Sequence, residues 1–520
     1  MQRHNLSFGL LITGVVVGII GNVFFYEQAS GLSVPVFVTI VLLLTLGWTW
    51  THNGLPSLRK LWIVIPILFF ASMFVFRANG ILLTFNGMAV LALTALLLFY
   101  LNHEIHVDNA STQEHAQALI ETAGQSLTGA GTEIEESYKW LKNQEWKSLS
   151  PVVAVGRGLL ITIPVIVVFV VLFSSADAVF SERVTDFINI FAVDNLEMLA
   201  TRFFLTLGIA WLVTGLMSSG MKSRHVRQDY QPFEADDMPE VMVKSAPKPF
   251  RIGITEATIL LVSIVLLFGF FVFIQLTYFF AGETAIAEGL TYSAYARRGF
   301  FELLAVSVIV LGLMLILDHV TIRKNITQQS MFLTLSIVMV GLTLVIMVSA
   351  WQRMVLYEQA YGFTHLRVIS HVFIVWLGVL LAIGVLHLLR VRANIFAFGA
   401  ILVAIGYLGT LNLMNLDYYI AQQNIIRYEN GEELDVCYLR ELSVDALPPI
   451  LELYENTTDE TVRDDLITWF MDKKRNEAHR YDESSIFEYN LAHQTARDTL
   501  EDMSLEAPEN VYNCGFYRDF

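Results

Sequence analysis

The sequence predicts an all-α protein: a polytopic membrane bundle of about eleven helices with a small helical extramembrane domain at its C-terminus. Two observations carry this prediction. Hydrophobic residues make up 55% of the 520 residues and charged residues only 16%, against about 25% charged in a typical soluble domain. The apolar residues also occur in long uninterrupted runs, which is typical of membrane-spanning segments.

Eleven such runs have the length that a helix needs to cross the hydrocarbon core, about 20 residues. They are Leu6–Phe25, Ser33–Trp50, Leu58–Phe76, Ile81–Leu101, Pro151–Phe173, Leu199–Met217, Thr255–Ala281, Phe300–Leu317, Met331–Ala350, Val368–Leu388 and Ile395–Met414. The third and fourth runs are separated by polar residues that include Arg77 and Asn79, so they form either a tight hairpin or spans shifted by several residues.

The distribution of cationic residues predicts the orientation. With the N-terminus in the cytoplasm, the inside segments hold 17 Lys and Arg residues and the outside segments seven, all of them arginine. Cytoplasmic loops carry the excess of positive charge in membrane proteins. An odd number of spans then places the C-terminus outside the cell membrane.

Four regions follow from these spans. They are N-terminal membrane helices over residues 1–101, a cytoplasmic helical loop over 102–150, a main membrane domain over 151–414 and an acidic helical tail over 415–520. We expect Gly129 and Gly131 to break the loop into either a partner-binding hairpin or two amphipathic helices lying on the membrane surface. An amphipathic surface helix is predicted within 174–195 and a flexible linker over 217–251.

The tail carries nearly the whole charge of the protein. Residues 415–520 contain 24 acidic and 9 basic side chains, or −15 of the chain's net −16. This charge argues against nucleic acid as a partner and against docking of the tail on anionic lipid. The only two cysteines, Cys437 and Cys514, also lie there, and they form either a disulfide or two unpaired thiols.

Charged residues at membrane depth are candidates for function, and one group follows the seventh span. Arg297 and Arg298 precede Glu302, and the spacing of Arg298 and Glu302 places them on one helix face, where they can pair. This group is either part of a substrate or ion site or a structural ion pair that lets the chain re-enter the membrane.

A second group follows the ninth span and lies on the same predicted side. It comprises Arg353, Glu358, Arg367 and His371, of which the last two share a helix face. If both groups converge, they line a pocket suited to an anionic headgroup or phosphate; the alternative is an internal salt-bridge network. On the other side, Asp318 is expected to cap its span and His387, near Arg390, to reach toward the interface.

Catalytic motifs are missing. The chain has no phosphate-binding loop, no G-x-S-x-G, no H-E-x-x-H and no dinucleotide fingerprint. We therefore predict no catalytic residue, no metal site and no cofactor, and the sequence favours a protein that is not an enzyme. An inverted repeat typical of known transporters is also not evident.

Several stretches resemble a bacterial multi-pass family, domain of unknown function 4173, which is related to 4153. They are Ser174–Asp177, Gly289–Glu302, Tyr357–Arg367 and Asn415–Asn424. The resemblance implies a bacterial inner or plasma membrane and transfers no catalytic residue.

The resulting functional prediction is a binding, sensing or regulatory component of the bacterial cell envelope. Its partners would be the lipid bilayer and either an anionic lipid or an envelope protein. The alternative is a transporter or lipid-modifying membrane enzyme with an outer-leaflet polar pocket.

Overall fold

The computed structural model describes residues 2–53, 57–102, 107–143, 173, 196–226, 251–281, 300–392, 394–481 and 485–505. Within these ranges the chain is helical and forms no β-strand; one isolated bridge joins Ile252 and Thr321. Ten of the described helices are long and apolar enough to cross a membrane. The predicted fold class, a polytopic helical bundle, is confirmed.

The described helices are numbered α1 to α17 in chain order. The first eight are α1 Gln2–Phe25, α2 Ser33–Asn53, α3 Leu58–Leu61, α4 Val64–Phe76, α5 Gly80–Asn102, α6 Thr112–Asn143, α7 Leu196–Val226 and α8 Ile254–Ala281. The next four are α9 Phe300–Val320, α10 Ile326–Tyr361, α11 His365–Leu388 and α12 Ile395–Met414. The last five are α13 Leu416–Glu429, α14 Val436–Glu441, α15 Leu447–Asn456, α16 Glu460–Tyr481 and α17 Leu491–Glu501.

The third and fourth predicted spans form a tight hairpin. Helix α4 ends at Phe76 and α5 begins at Gly80, so three residues make the turn. The predicted span Pro151–Phe173 lies outside the described residues except for Phe173, as does the surface helix expected within 174–195. Most of the linker predicted over 217–251 also falls outside them.

The chain divides into two compact units. The first comprises residues 1–61, 95–104 and 117–228, and the second comprises residues 62–94, 105–116 and 229–520. In the first unit, α1 packs along α7, and Leu10, Val17, Val213 and Met217 form a small apolar core.

Helix α6 is continuous, so the predicted break at Gly129 and Gly131 is wrong. Gly129 instead lets two backbones approach closely. A Cβ on Gly129 would lie 3.0 Å from the Cα of Gly215 in α7, and one on Gly215 would overlap the backbone of Ser126. The contact is reinforced by the Trp211 indole, which donates to the Leu127 carbonyl at 2.8 Å. Tertiary packing therefore compensates for the weak helix propensity of glycine.

The second unit contains two apolar cores. One lies among α8 to α12 and is centred on fully buried side chains such as Met314, Phe332, Met339 and Leu381. Many large apolar side chains of these helices point outward instead, among them Leu266 and Phe270 of α8. That pattern is typical of helices whose outer face contacts lipid.

The other core joins the tail to the ends of the membrane helices. Trp469, Phe470 and Leu466 of α16 share one buried cluster with Ile420 of α13 and with Val368 in the first turn of α11. The tail is therefore packed on the helix ends that include the start of α11 and the α4–α5 turn.

The described part of the tail is helical, as expected. Its last helix, α17, begins at Leu491. Asn490 sets this start, because its side-chain oxygen accepts a hydrogen bond from the amide of His493 and so caps the helix. Helix α13 runs from Leu416 to Glu429 as a polar continuation of the last span and is followed by Gly431 at φ +93°.

Candidate functional site

A buried polar cluster lies where the tail meets the membrane helices. Its central group is the carboxylate of Asp417, in the first turn of α13, whose side chain is 0% exposed. The chain enters α13 through Asn415, which has φ +53°. This turn breaks the helical path between α12 and α13 and brings Asp417 to the start of α11.

Residues from three other segments donate to or contact Asp417. The imidazole Nε2 of His365 lies 2.6 Å from Oδ1, and the Asn79 amide donates to the same oxygen at 2.7 Å. The backbone N–H of Ser443 donates to Oδ2 at 2.8 Å. A buried carboxylate needs such partners because an unpaired buried charge is strongly destabilising.

His365 also contacts the tail through its other ring nitrogen. The hydroxyl of Tyr438 lies 2.9 Å from Nδ1 and accepts a hydrogen bond from the backbone N–H of His365 at 2.7 Å. His365 is the first residue of α11, and its N–H is one of the donors that a helix start leaves unpaired. Tyr438 therefore fixes both the helix start and the ring.

Asp445 holds the α4–α5 turn. Its Oδ2 accepts hydrogen bonds from the backbone N–H of Ala78 at 2.7 Å and of Asn79 at 3.1 Å. Beside it, the Arg77 guanidinium donates to the Asn412 carbonyl at the end of α12, at 2.9 Å from Nε and 2.8 Å from Nη2. Hydrogen bonds between charged side chains and backbone groups thus join the tail to one membrane-helix turn and join that turn to the end of α12.

The pKa values of the two carboxyl groups in the cluster are shifted in opposite directions. Burial raises the pKa of Asp417, but hydrogen bonds from His365 and Ser443 outweigh it and hold that pKa below the usual value. Burial also raises the pKa of Asp445, and there the hydrogen bonds from Ala78 and Asn79 do not compensate, so the pKa lies above the usual value. Burial raises the pKa of the Tyr438 hydroxyl to about 12, so Tyr438 remains protonated at neutral pH.

A lysine of the tail adds a positive charge near the cluster. Lys473 of α16 donates to the Leu442 carbonyl at 2.6 Å. Burial lowers the pKa of its ammonium group, against the attraction of Asp417, Asp472 and Glu477. Its position caps a carbonyl at the end of α14, so the lysine stabilises the segment that carries Ser443.

Two of the predicted site residues pair with each other at the end of α10. His371 Nδ1 of α11 lies 2.9 Å and 3.1 Å from the two carboxylate oxygens of Glu358, which is 3% exposed. The imidazole also packs edge-on against Trp351, with 3.8 Å between the ring centroids. The pair joins α10 to α11 within two turns of their connecting loop.

Arg367 serves the same loop. Its guanidinium lies 4.1 Å from the ring centre of Tyr357 and donates to the carbonyls of Tyr361 and Gly362. Glu358, Arg367 and His371 therefore lie together around the α10–α11 connection, as the sequence spacing predicts. The geometry is that of a cation capping a helix C-terminus over an aromatic ring.

Fewer contacts are described for the other predicted site residues. Glu302 is exposed in the first turn of α9, and Arg353 is half-buried in α10. Arg297 and Arg298 lie outside the described residues. Cys437 is not a free thiol; Cys514 is also outside them, so a Cys437–Cys514 disulfide stays a prediction.

The Asp417 cluster was largely missed from the sequence. Asp417 and His365 stand in the motifs that carry the family resemblance, but nothing in the spacing links them to Asn79, Ser443 or Asp445. The usable signal is an aspartate directly after an apolar span, where charge is unfavourable without a partner.

The carboxylates of both clusters are engaged by groups of the protein itself. Both oxygens of Asp417 accept internal hydrogen bonds, and both oxygens of Glu358 face His371. In the described part of the chain, no three His, Cys, Asp or Glu residues are grouped so that they could hold a metal ion.

The fold and these clusters define a multi-pass helical membrane protein whose C-terminal domain is bonded to the ends of its membrane helices. The chain belongs to the family described as "Domain of unknown function (DUF4153)", whose model matches residues 64–453, about three quarters of the sequence. The sequence resemblance was to family 4173, with family 4153 as its relative. The match is to family 4153, and it begins at the α4–α5 hairpin, before the first of the resembling stretches, Ser174–Asp177. No curated protein and no solved structure matches the chain.

Proposed function

We propose that the protein is a binding, sensing or regulatory component of the bacterial cell envelope, in which the tail and the membrane helices respond as one unit. The observation that carries this proposal is the fully buried Asp417 carboxylate. Its partners Asn79, His365 and Ser443 come from the α4–α5 turn, the start of α11 and the tail. A change in the tail that moves Ser443 must therefore also disturb two membrane-helix ends.

The alternative, a transporter or lipid-modifying enzyme acting at this end, has weaker support. It requires that substrate reach the predicted polar group, which comprises Arg298, Glu302, Arg353, Glu358, Arg367 and His371. Glu358 is buried and its oxygens are engaged by His371, while Arg367 is engaged by backbone carbonyls. His371 Nε2 has no hydrogen-bond partner within the described residues, but the other contacts of these three groups suit a structural connection between the tail and the membrane helices.

The charge of the tail favours one class of partner. With 24 acidic and 9 basic residues, the tail attracts a basic protein surface and is repelled by an anionic membrane surface. The excess of cationic residues at the other ends of the spans supports an N-terminus in the cytoplasm and a tail outside it. A periplasmic activity reporter fused after Phe520 tests this orientation, and activity only in the cytosol would reverse it.

Hydrogen–deuterium exchange of the full-length protein in nanodiscs tests the coupling. Leu466→Ala removes a fully buried side chain from the tail core, which typically lowers stability by about 2–5 kcal/mol. Faster exchange is expected in the tail and also at the α4–α5 turn and the first turn of α11. Ile486→Ala, at an exposed aliphatic residue of the same domain, serves as the control.

Two outcomes would count against the proposal. Exchange that rises only within residues 436–501 would mean that the tail opens independently of the membrane helices. An equal effect of Ile486→Ala would mean that the response does not depend on the shared core.

A further inference from the structure

A cavity lies at the opposite end of the same helices from the Asp417 cluster. Its volume is about 630 Å³, and its wall is built from the end of α9, the residues after α11 and the first turn of α12. Helix α11 has 24 residues, so at about 1.5 Å per residue the two ends are separated by roughly 36 Å. The cavity is therefore independent of the site described above.

The polar side of this cavity carries excess positive charge. Among the described residues that line it, Asp318 is the only carboxylate, and it is bound by two guanidinium groups. Arg323 Nη1 donates to its Oδ1 at 2.8 Å, and Arg390 Nη2 lies 3.0 Å and 2.9 Å from its two oxygens. Arg323 does not line the cavity, but it shares Asp318 with Arg390, so the three groups together carry a net charge of about +1 beside the cavity.

Two histidines add hydrogen-bonding capacity. His319 and His387 both line the cavity, and His387 Nε2 lies 3.5 Å from Asp318 Oδ2. The other ring nitrogen of His387, Nδ1, is buried and has no hydrogen-bond partner within the described part of the protein. A buried polar atom left in this state indicates a missing partner, such as a ligand atom.

The backbone at the cavity is held in an unfavourable conformation. Arg390 has φ +56° and Asn394 has φ +57°, two of the four non-glycine residues with positive φ in the described ranges. Strain of this kind tends to concentrate at binding sites. Here it turns the chain between α11 and α12 so that Arg390 faces Asp318 and the start of α12 faces the cavity. The first turn of α12 has no side-chain cap, which leaves backbone N–H groups favourable to an anion.

Apart from Thr112 of α6 and Asn394, the remaining described wall is apolar. Leu315, Ile316 and Val320 of α9 face Phe396 and Ala397 of α12 across the cavity. Ile316 is exposed on the outer surface of a candidate membrane span, so the apolar wall continues toward lipid. A site with a cationic end and an apolar side suits a ligand that has the same two parts.

We propose that this cavity binds a phosphate group; its apolar wall along α9 and α12 fits the apolar part of a phosphate-bearing amphiphile. Arginine is the side chain best suited to phosphate because its planar fork donates two parallel hydrogen bonds. Arg390, whose side chain is 56% exposed, retains donors beyond the nitrogen bonded to Asp318. The group could come from an acidic phospholipid or from free phosphate, and the two sources are separated by the test.

The test uses the full-length protein in a phosphate-free maltoside detergent and identifies the bound molecules by their mass in native mass spectrometry. Three conditions are compared: detergent alone, detergent with phosphatidylglycerol, and detergent with inorganic phosphate. Retention of phosphatidylglycerol identifies a lipid headgroup, and retention only of inorganic phosphate identifies a free anion. Arg390→Gln is expected to weaken retention about 10- to 100-fold, the loss of one charge-assisted hydrogen bond.

Matched variants keep the result interpretable. Arg392→Gln removes a neighbouring arginine that pairs with Asp108 and does not line the cavity, so retention should not change. Ile316→Trp narrows the cavity from an already exposed position and should weaken retention with the charges intact, even if Arg390→Gln does not fold. Equal retention by wild type and Ile316→Trp, or equal losses in Arg390→Gln and Arg392→Gln, would overturn the proposal.

Discussion

The imidazole Nε2 of His365 lies 2.6 Å from the carboxylate Oδ1 of Asp417, and the pair joins the start of α11 to the start of α13. The two residues are 52 positions apart, and two membrane spans, α11 and α12, lie between them. Because Tyr438 contacts the other ring nitrogen, the same histidine links two helix starts to the tail. The cluster therefore holds the tail against both helix starts.

Asp417→Asn should destabilise the protein strongly. The substitution removes the charge that His365, Asn79 and Ser443 surround, and breaking a buried ionic group typically lowers stability by about 3–5 kcal/mol. Thermal unfolding in detergent at pH 7 measures the effect. Asp459→Asn, at an exposed helix cap with no contact to the cluster, is the control and should change the midpoint far less.

The pKa shifts predict how this stability depends on pH. The lowered pKa of Asp417 means that the folded state holds the proton less tightly than the unfolded state. The stabilisation is therefore complete above the usual value of 3.8 and is lost as pH falls through the lowered pKa. Unfolding midpoints measured from pH 6 downward should fall steeply for the wild type and less steeply for Asp417→Asn; parallel curves would contradict the assignment.

Asp445→Asn should have a small effect at pH 7. The raised pKa of Asp445 means that the folded state favours the neutral acid, so its contribution to stability grows as pH falls and is lost as pH rises through the folded pKa. The amide resembles the neutral form and keeps an oxygen to accept from Ala78 and Asn79. We expect a change below about 1 kcal/mol at pH 7. A loss as large as that of Asp417→Asn would show that the two carboxyl groups are equivalent.

Asn490→Ala should loosen the tail from the α4–α5 hairpin. The Asn490 amide donates to the carbonyls of Phe74 and Arg77, both at 2.8 Å, and the residue is fully buried. Losing these bonds and the cap of α17 should lower stability by about 2–4 kcal/mol. Limited proteolysis should then cleave within 485–505 sooner. Asn456→Ala, which loses only an exposed bond within its own helix, should leave the cleavage rate unchanged.

Gly362→Ala tests the α10–α11 connection. Gly362 has φ +80°, and a Cβ there would lie 2.7 Å from Asn424 Oδ1 and 2.9 Å from Arg427 Nη1. Both strain and overlap should destabilise the protein by about 2–4 kcal/mol in thermal unfolding. Gly431→Ala shares the positive φ but adds a Cβ into open space, so its effect should be about 1 kcal/mol. Equal effects would mean that the close packing against Asn424 is unimportant.

Glu358→Leu should destabilise the α10–α11 pair. It leaves the buried His371 without its partner, which typically lowers stability by about 1–3 kcal/mol. Glu358→Gln retains one acceptor and should fall between this variant and the wild type. Gln352→Leu, at an exposed position of the same helix, should be near neutral in the same detergent melts. A Glu358→Leu variant that folds as well as Gln352→Leu would argue that the pair exists for a ligand and not for the fold.

The sequence by itself determined the membrane class, the bounds of most spans and the helical tail, because apolar runs of bilayer length have few other solutions. It also identified Glu358, Arg367 and His371 as neighbours, since helical spacing and a short connection bring such residues together.

Only the tertiary structure decided the rest. Asp417 contacts Asn79, His365 and Ser443 because separate helix ends converge at the tail. The spacing of residues along the chain does not predict that convergence. Likewise, Gly129 fits a close contact with Gly215 instead of ending its helix. Local preferences are worth about 1 kcal/mol per residue, so packing between distant segments overrides them.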